Sequence, residues 1–363
     1  GHCSDGSTVT IVEETTPGLP SEIDDVQATT RGEHVYVTNG ALSKQFKATA
    51  FFGANSGSLS MDGKFKDQVF YGNGSPLEGS LIWKGSQPCG KFYAYGPNLD
   101  GLGSLREEGG KKKIDFEVNS TVGQQLDFVT ATSDVVTLSQ ENKKEKKCPP
   151  IKLTFRHPLT ALRFKIGKDV LGVNTDNNIS SVTIANVKAK GTYILPDESN
   201  KFGTWELSSD EPTFFELTNY GGKYGFKTEN NVCIVGSSEH MASDYNTMFM
   251  IPQEGEVTIR IEVGGKTITG KVSAHWKPGT TKTYSFYRHT GKSDYHFTVN
   301  GGKVLTYDTK MQPQTEDVPF TVTSYKTGGT PLGWSVEGYE VSTDGGKQWN
   351  SINASEAVSY THL

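Results

Sequence analysis

The sequence predicts an all-β protein, and three observations carry that reading. Short runs in which apolar and polar residues alternate recur along the chain, the signature of half-buried strands. Between them lie turn-forming residues, led by 41 glycines and joined by Ser, Thr and Asn. Helical periodicity is nowhere sustained over the three or so turns that a stable helix needs. Hydrophobic residues make up only 34% of the chain, against ~45–50% in soluble domains on a count that includes Gly. Aromatics still reach 10%, with 15 Tyr, 18 Phe and 5 Trp. A few large side chains therefore do the burying, as in thin two-sheet sandwiches with much exposed surface. The 363 residues leave room for roughly two or three domains.

Residues 1–33 read as an extended leader. Thr8-Val9-Thr10-Ile11-Val12 has strand propensity, and Pro17, Pro20 and acidic and Thr-rich spacing follow. Short strands begin at His34-Val35-Tyr36-Val37-Thr38, which leads into the turn dipeptide Asn39-Gly40. Gln45–Phe51 alternates polar and apolar residues, and Val69–Tyr71, Ser80–Trp83 and Lys91–Tyr95 continue the series. Gly96-Pro97 stops the last of these. Ile114–Val118 and Leu126–Ala131 complete a first set.

A break falls at 141–150, where the basic run Lys143-Lys144-Glu145-Lys146-Lys147 meets Cys148-Pro149-Pro150. The run reads as a solvated loop, and tandem prolines cannot continue a central strand or a helix. The expected boundary therefore lies between 147 and 148. Lys152–Phe155, Leu162–Ile166, Ser181–Ile184 and Gly191–Leu195 form a second set of strands. The clearest signal is Val257, Ile259, Ile261 and Val263 alternating with Thr258, Arg260 and Glu262. Gly264-Gly265 then leads into Lys266–Val272, which predicts a hairpin with one buried and one wet face. Thr283–Tyr287 closes this domain, 148–290. Residues 291–363 carry a third set, including Phe320–Tyr325. It ends in Val358-Ser359-Tyr360-Thr361-His362-Leu363, which reads as adapter read-through at the end of a truncated β domain.

Charge and motifs narrow the function classes. Net charge is −5 with a pI near 6.0, so no general basic field draws in nucleic acid. No apolar stretch is long enough to span a bilayer as a helix. Zincin-type histidine pairs, nucleophile elbows, P-loops and strand-linked G-x-G-x-x-G motifs are all absent. Alternation of strands with helices, as in nucleotide-binding α/β folds, is absent as well. The reading is a non-enzyme that needs no cofactor and no metal. Ser342–Trp349 resembles an Asp-box hairpin, which in a single copy is a turn. Asp62-Gly63-Lys64 is likewise a plain turn, without the acidic ladder of a calcium loop.

Cys3, Cys89, Cys148 and Cys233 are neither a disulfide framework nor a metal site, and spacing leaves one disulfide open, Cys89 with Cys148 among the pairings. The chain opens Gly1-His2-Cys3 without a methionine, as a mature exported chain does once its signal peptide has gone. A cysteine there followed by small polar residues is the arrangement of bacterial lipoproteins, anchored by acyl chains at ~0.8 kcal/mol per buried CH₂. His2 stands where a small residue is usual before a lipidated cysteine, so an ordinary cysteine in a leader is the other reading of Cys3.

Leu153-Thr154-Phe155-Arg156-His157-Pro158-Leu159-Thr160-Ala161-Leu162-Arg163-Phe164 resembles a strand pair of the fimbrillin-like proteins, surface and fimbrial proteins of Gram-negative anaerobes. The resemblance extends upstream through Ile82-Trp83, Phe92–Tyr95 and Leu126–Thr132. Downstream it takes in Met250-Ile251-Pro252-Gln253, the Val257–Val263 strand, Trp276-Lys277-Pro278-Gly279 and Tyr284-Ser285-Phe286, covering about residues 30–290. It implies two tandem transthyretin-like β-sandwich domains, 34–147 and 148–290, ahead of the partial C-terminal β domain 291–363. It implies export as a lipoprotein precursor to the outer-membrane surface or a fimbrium. Partners would be other fimbrial subunits, joined by strand exchange after an N-terminal segment is cut behind an arginine. Arg31 stands where such a cut would fall, or is an ordinary exposed arginine. The extension 291–363 suits a tip, anchor or accessory subunit, since extra bulk would obstruct stalk stacking. His157 is expected to pack in the core. The alternative is a non-polymerising surface lipoprotein that binds glycans, with Trp83, Trp205, Trp276 or Trp334 exposed to stack on sugars.

Overall fold

The computed structural model describes residues 1–19 apart from Asp5 and Ser7, then 41–79, 82–167, 179–218 and 247–288. With these come Val170 and the strand residues 37–38, 227–229, 232–235, 295–301, 320–326, 330–331, 338–341 and 350–353. The chain is nearly all β, as the sequence predicts, and its contacts group Gly1–Arg288 as one unit and His289–Leu363 as another.

The alternating apolar run builds the expected hairpin. Glu254–Val263 pairs antiparallel with Lys266–His275 from Glu254 opposite His275 to Val263 opposite Lys266. Val257, Ile259, Ile261 and Val263 are all buried, while Thr258, Arg260 and Glu262 take the other face. Gly264 and Gly265 turn the chain at φ of 54° and 75°, the left-handed pair that a two-residue hairpin requires. This hairpin is the middle of a five-stranded sheet. Ile179–Val187 and then Thr213–Thr218 lie beyond Glu254–Val263, and His2–Cys3 lies beyond Lys266–His275.

A second sheet runs, in spatial order, through Lys227–Glu229, Val232–Val235, Thr160–Gly167, Thr280–Arg288 and Val9–Pro17, with Met248–Met250 also pairing to Thr160–Gly167. Its central pair, Thr160–Gly167 with Thr280–Arg288, is parallel, a long-range pairing that no local turn sets. A third sheet joins Lys111–Glu117 to Lys190–Ile194, so its ladder takes one strand from each side of the boundary expected at 147/148. One apolar cluster likewise runs from Phe51 and Tyr93 through Phe116 and Phe128 to Phe164, Ile259 and Phe286.

A fourth sheet centres on Phe46–Gly53 and Cys89–Gly96, which pair from Lys47 opposite Tyr95 to Gly53 opposite Cys89. Both strands are covered on two faces. Phe51, Tyr93 and Tyr95 join the main cluster, while Phe46, Ala48, Phe52 and Phe92 pack under Phe70, Trp83, Leu153 and Phe155. This cover accounts for two departures from expectation. Lys152–Phe155 forms no ladder; beside it only a Thr130–Arg156 bridge exists, and Leu153 and Phe155 serve as lids, with the Phe155 ring 5.0 Å from Phe46. Of the strand expected at Ser80–Trp83, residues 80 and 81 lie outside the described set. Ile82 is 76% exposed and Trp83 caps the Phe52 and Phe92 rings instead of joining a sheet.

The basic run, read as a loop, begins in a short exposed helix, Gln140–Glu145, started by a Ser139–Asn142 capping box, and leaves it at the left-handed Lys146. Asp62 is a turn residue, its carboxylate accepting from the Lys64 amide at 2.8 Å. Cys89 is buried and Cys148 exposed, and neither is in a disulfide. In the second unit Tyr295–Gly301 pairs antiparallel with Phe320–Lys326, and Gly338–Val341 with Asn350–Asn353. The Asp-box residues 342–349, Trp334 and the terminal run 358–363 lie outside the described residues.

Candidate functional site

The functional proposal from sequence centres on a detachable N-terminal strand, so the site begins with Val9–Pro17. Val9, Thr10, Ile11 and Val12 are β-branched and suit a pleated, half-buried surface. They pair antiparallel with Thr280–Arg288 over the full nine residues, from Val9 opposite Arg288 to Pro17 opposite Thr280. The contact continues past the proline, where the Gly18 amide donates to the Gly279 carbonyl at 2.8 Å and the Thr281 hydroxyl donates to the Gly18 carbonyl at 2.8 Å. Leu19 then closes the segment with no exposed surface. Among the described residues the strand is the edge of its sheet, with Thr280–Arg288 as its one ladder neighbour.

Before this strand, residues 2–4 run along the neighbouring sheet. His2 and Cys3 sit opposite Thr269 and Ile268, and the Ser4 amide donates to the Thr267 carbonyl at 2.8 Å. The N-terminal segment thus adds a short edge to one sheet and a long edge to the next. Passage between the two is close: a Cβ on Gly270 would come within 2.1 Å of the Ile11 side chain, so the position takes glycine.

Side chains at positions 9, 11, 13 and 15 share the core-facing side. Val9 is buried, and Ile11, opposite Phe286, packs against the main cluster. Burial of Val9, Val12 and Leu19 contributes about 1.5–3 kcal/mol each. Glu13 is the exception in this row. It lies opposite Tyr284, and its carboxylate pairs with the ammonium of Lys282, whose side chain is only 5% exposed. The Tyr284 hydroxyl accepts from Trp276 Nε1 at 2.8 Å. Burial, with the Glu13 charge adding to it, pushes the Tyr284 phenol well above its ordinary pKa. Glu13, Lys282, Tyr284 and Trp276 were not singled out from sequence as one group. The available signal was an acidic residue in the apolar row Val9-x-Ile11-x-Glu13, and its partner lies far along the chain.

The residues singled out from sequence fall as follows. Cys3 is a half-buried thiol on the edge strand His2–Cys3, packed against the main cluster. Arg31 lies outside the described residues. His157 Nδ1 lies 2.8 Å from Oδ1 of the fully buried Asp127 carboxylate, which accepts its hydrogen bond. The described tryptophans are not free platforms. Trp276 is 4% exposed, Trp205 packs on Phe116 and Tyr193 with its Nε1 on the Pro158 carbonyl, and Trp83 lies against Phe52 with its Nε1 on the Gln87 carbonyl.

A family model described as fimbrillin-like matches residues 34–323. No curated protein sequence matches the chain. Among solved structures, a candidate cell adhesion protein from Bacteroides ovatus is similar over 75% of this chain and 92% of its own, at 12% identity and a TM-score of 0.45. The fimbrial anchor protein Mfa2 from Porphyromonas gingivalis is similar over 62% of this chain and 73% of its own, at 14% identity and a TM-score of 0.31. A fimbrial protein from Bacteroides ovatus is similar over 71% of this chain and 49% of its own, at 13% identity and a TM-score of 0.35.

Proposed function

The chain belongs to the fimbrillin-like family, and on that premise we propose that it is a surface-exposed fimbrial or adhesive subunit that assembles by β-strand complementation. The observation that supports the reading is the N-terminal strand. It occupies a sheet edge over nine residues, and its chain connection to the rest of the fold runs through the segment that contains Arg31. Cleavage behind Arg31 would turn a covalent strand into an exchangeable one. Its departure would leave unpaired the backbone N–H and C=O groups of Thr280–Arg288 that face it, and a strand from another subunit would pair with them.

In this reading residues 1–33 are the removable leader, 34–147 and 148–290 are two transthyretin-like sandwiches, and 291–363 is the appended domain of a tip, anchor or accessory subunit. Cys3 carries the lipid of the precursor at the outer membrane. Of the four tryptophans behind the glycan-binding alternative, Trp83, Trp205 and Trp276 pack against the protein's own rings or donate to its own groups, and Trp334 lies outside the described residues. N-terminal sequencing of the protein isolated from cell-surface filaments is expected to begin at Gly32. A different first residue would count against cleavage at Arg31, and its absence from filaments would count against the fimbrial reading.

A further inference from the structure

An edge strand with a carboxylate on its core-facing row is unusual, because burying a charge costs several kcal/mol unless a partner meets it. Here the partner is built into the seat. Lys282 stands on Thr280–Arg288 with its side chain 5% exposed and its ammonium on Glu13. One position along that row, Tyr284 has no exposed surface, is held by Trp276 Nε1 at 2.8 Å and stands directly opposite Glu13 in the ladder. Two of the groups that meet Glu13 therefore belong to the body of the protein and stay behind if the strand leaves. An empty seat would leave the Lys282 ammonium without its carboxylate, beside a row that otherwise receives apolar side chains at Val9 and Ile11.

We infer that Lys282, Tyr284 and Trp276 form a selectivity pocket that admits a strand carrying a carboxylate opposite Tyr284, two residues after an apolar side chain opposite Phe286. The incoming partner is thereby defined by chemistry: an extended segment of another chain with the pattern apolar, any, apolar, any, acidic on its inward row. This inference rests on the strand-exchange reading and adds to it which strands qualify and in what register. A slip of one residue turns the acidic side chain to the opposite face, and a slip of two leaves Lys282 facing the wrong member of the row. Buried polar pairs are best attested in this registry role, where they set alignment at some cost in stability. The edge also discourages unselected partners, since a wholly apolar strand would leave the ammonium unpaired.

The test uses the full chain with a site-specific protease sequence inserted between Asp24 and Asp25, folded first and cleaved afterwards. The nicked protein is offered fluorescein-labelled peptides with the sequence of residues 8–19, and dissociation is followed by anisotropy. The native-sequence peptide should be retained. A peptide with Glu13→Gln should leave about tenfold faster or more; Glu13 is 24% exposed, which keeps the effect below that of a fully buried pair. A peptide with Ile11 and Glu13 exchanged, identical in composition, should leave at least as fast. In the Lys282→Met chain the preference for Glu over Gln should vanish. The peptide comparison on the unsubstituted chain stands without that variant. Equal retention of all three peptides overturns the selectivity pocket and leaves strand exchange intact. Uptake of no peptide overturns strand exchange at this edge, and this inference with it.

Discussion

Between about pH 9.5 and pH 11 the fold is expected to lose stability steeply, because buried tyrosines of the core cannot ionise where they stand. In an unfolded chain a phenol ionises near its ordinary value of about 10. Tyr193 and Tyr284 have no exposed surface, and in both the largest cause of a raised pKa is burial, which penalises the phenolate. For Tyr284 the Glu13 charge adds to it. Tyr93 is raised in the same direction by burial and then by Asp197. A folded-state pKa above the unfolded one means that the contribution is complete below the unfolded value and is lost as pH rises past it. Each such tyrosine then removes about 1.4 kcal/mol per pH unit above 10, so Tyr193 and Tyr284 together remove about 3 kcal/mol by pH 11. Urea unfolding across this range reads the slope directly. Tyr284→Phe should flatten it, at a neutral-pH cost of about 1 kcal/mol for the lost Trp276 hydrogen bond. A profile that stays level to pH 11 would show that these phenols are not shielded.

The second large effect is expected at His157. The Asp127 carboxylate is fully buried, and the His157 Nδ1 atom lies 2.8 Å from it on a ring that is 11% exposed. His157→Ala should cost about 3 kcal/mol, because removing one member of a buried pair takes a partner from the other in a medium that solvates it poorly. The double substitution Asp127→Leu with His157→Leu should cost less than the two singles summed, since no charge is then left behind. Chemical denaturation of the four proteins gives the coupling. A His157→Ala cost under about 1 kcal/mol would mean the pair is already satisfied without the imidazole.

This pair shows how far a linear reading reaches. His157 was assigned to the core because nothing around it in sequence resembles a ligand set, and the ring is indeed largely enclosed. That Asp127 meets it was not readable, since the partner stands 30 positions away. The same limit applies to the strand expected at Lys152–Phe155, which forms no ladder. Leu153 and Phe155 alternate with polar residues as a strand would, and alternation reports which side faces apolar neighbours. It does not report whether another backbone lies alongside to form a ladder, and here the neighbour is a sheet face formed by Phe46 and Phe52.

What the sequence determined by itself is local and periodic: the β class, the hairpin at Gly264-Gly265, and the propensity of Thr8–Val12 to extend. Each follows from side-chain alternation or from a backbone conformation that only certain residues adopt. The tertiary structure alone decided that this segment is an edge strand, that its ladder partner is Thr280–Arg288, and that Glu13 turns inward onto Lys282. Those outcomes depend on pairing across most of the chain. Loop closure over such distances leaves no periodic trace in the residues, and a carboxylate can face inward only where the opposing strand supplies the cation.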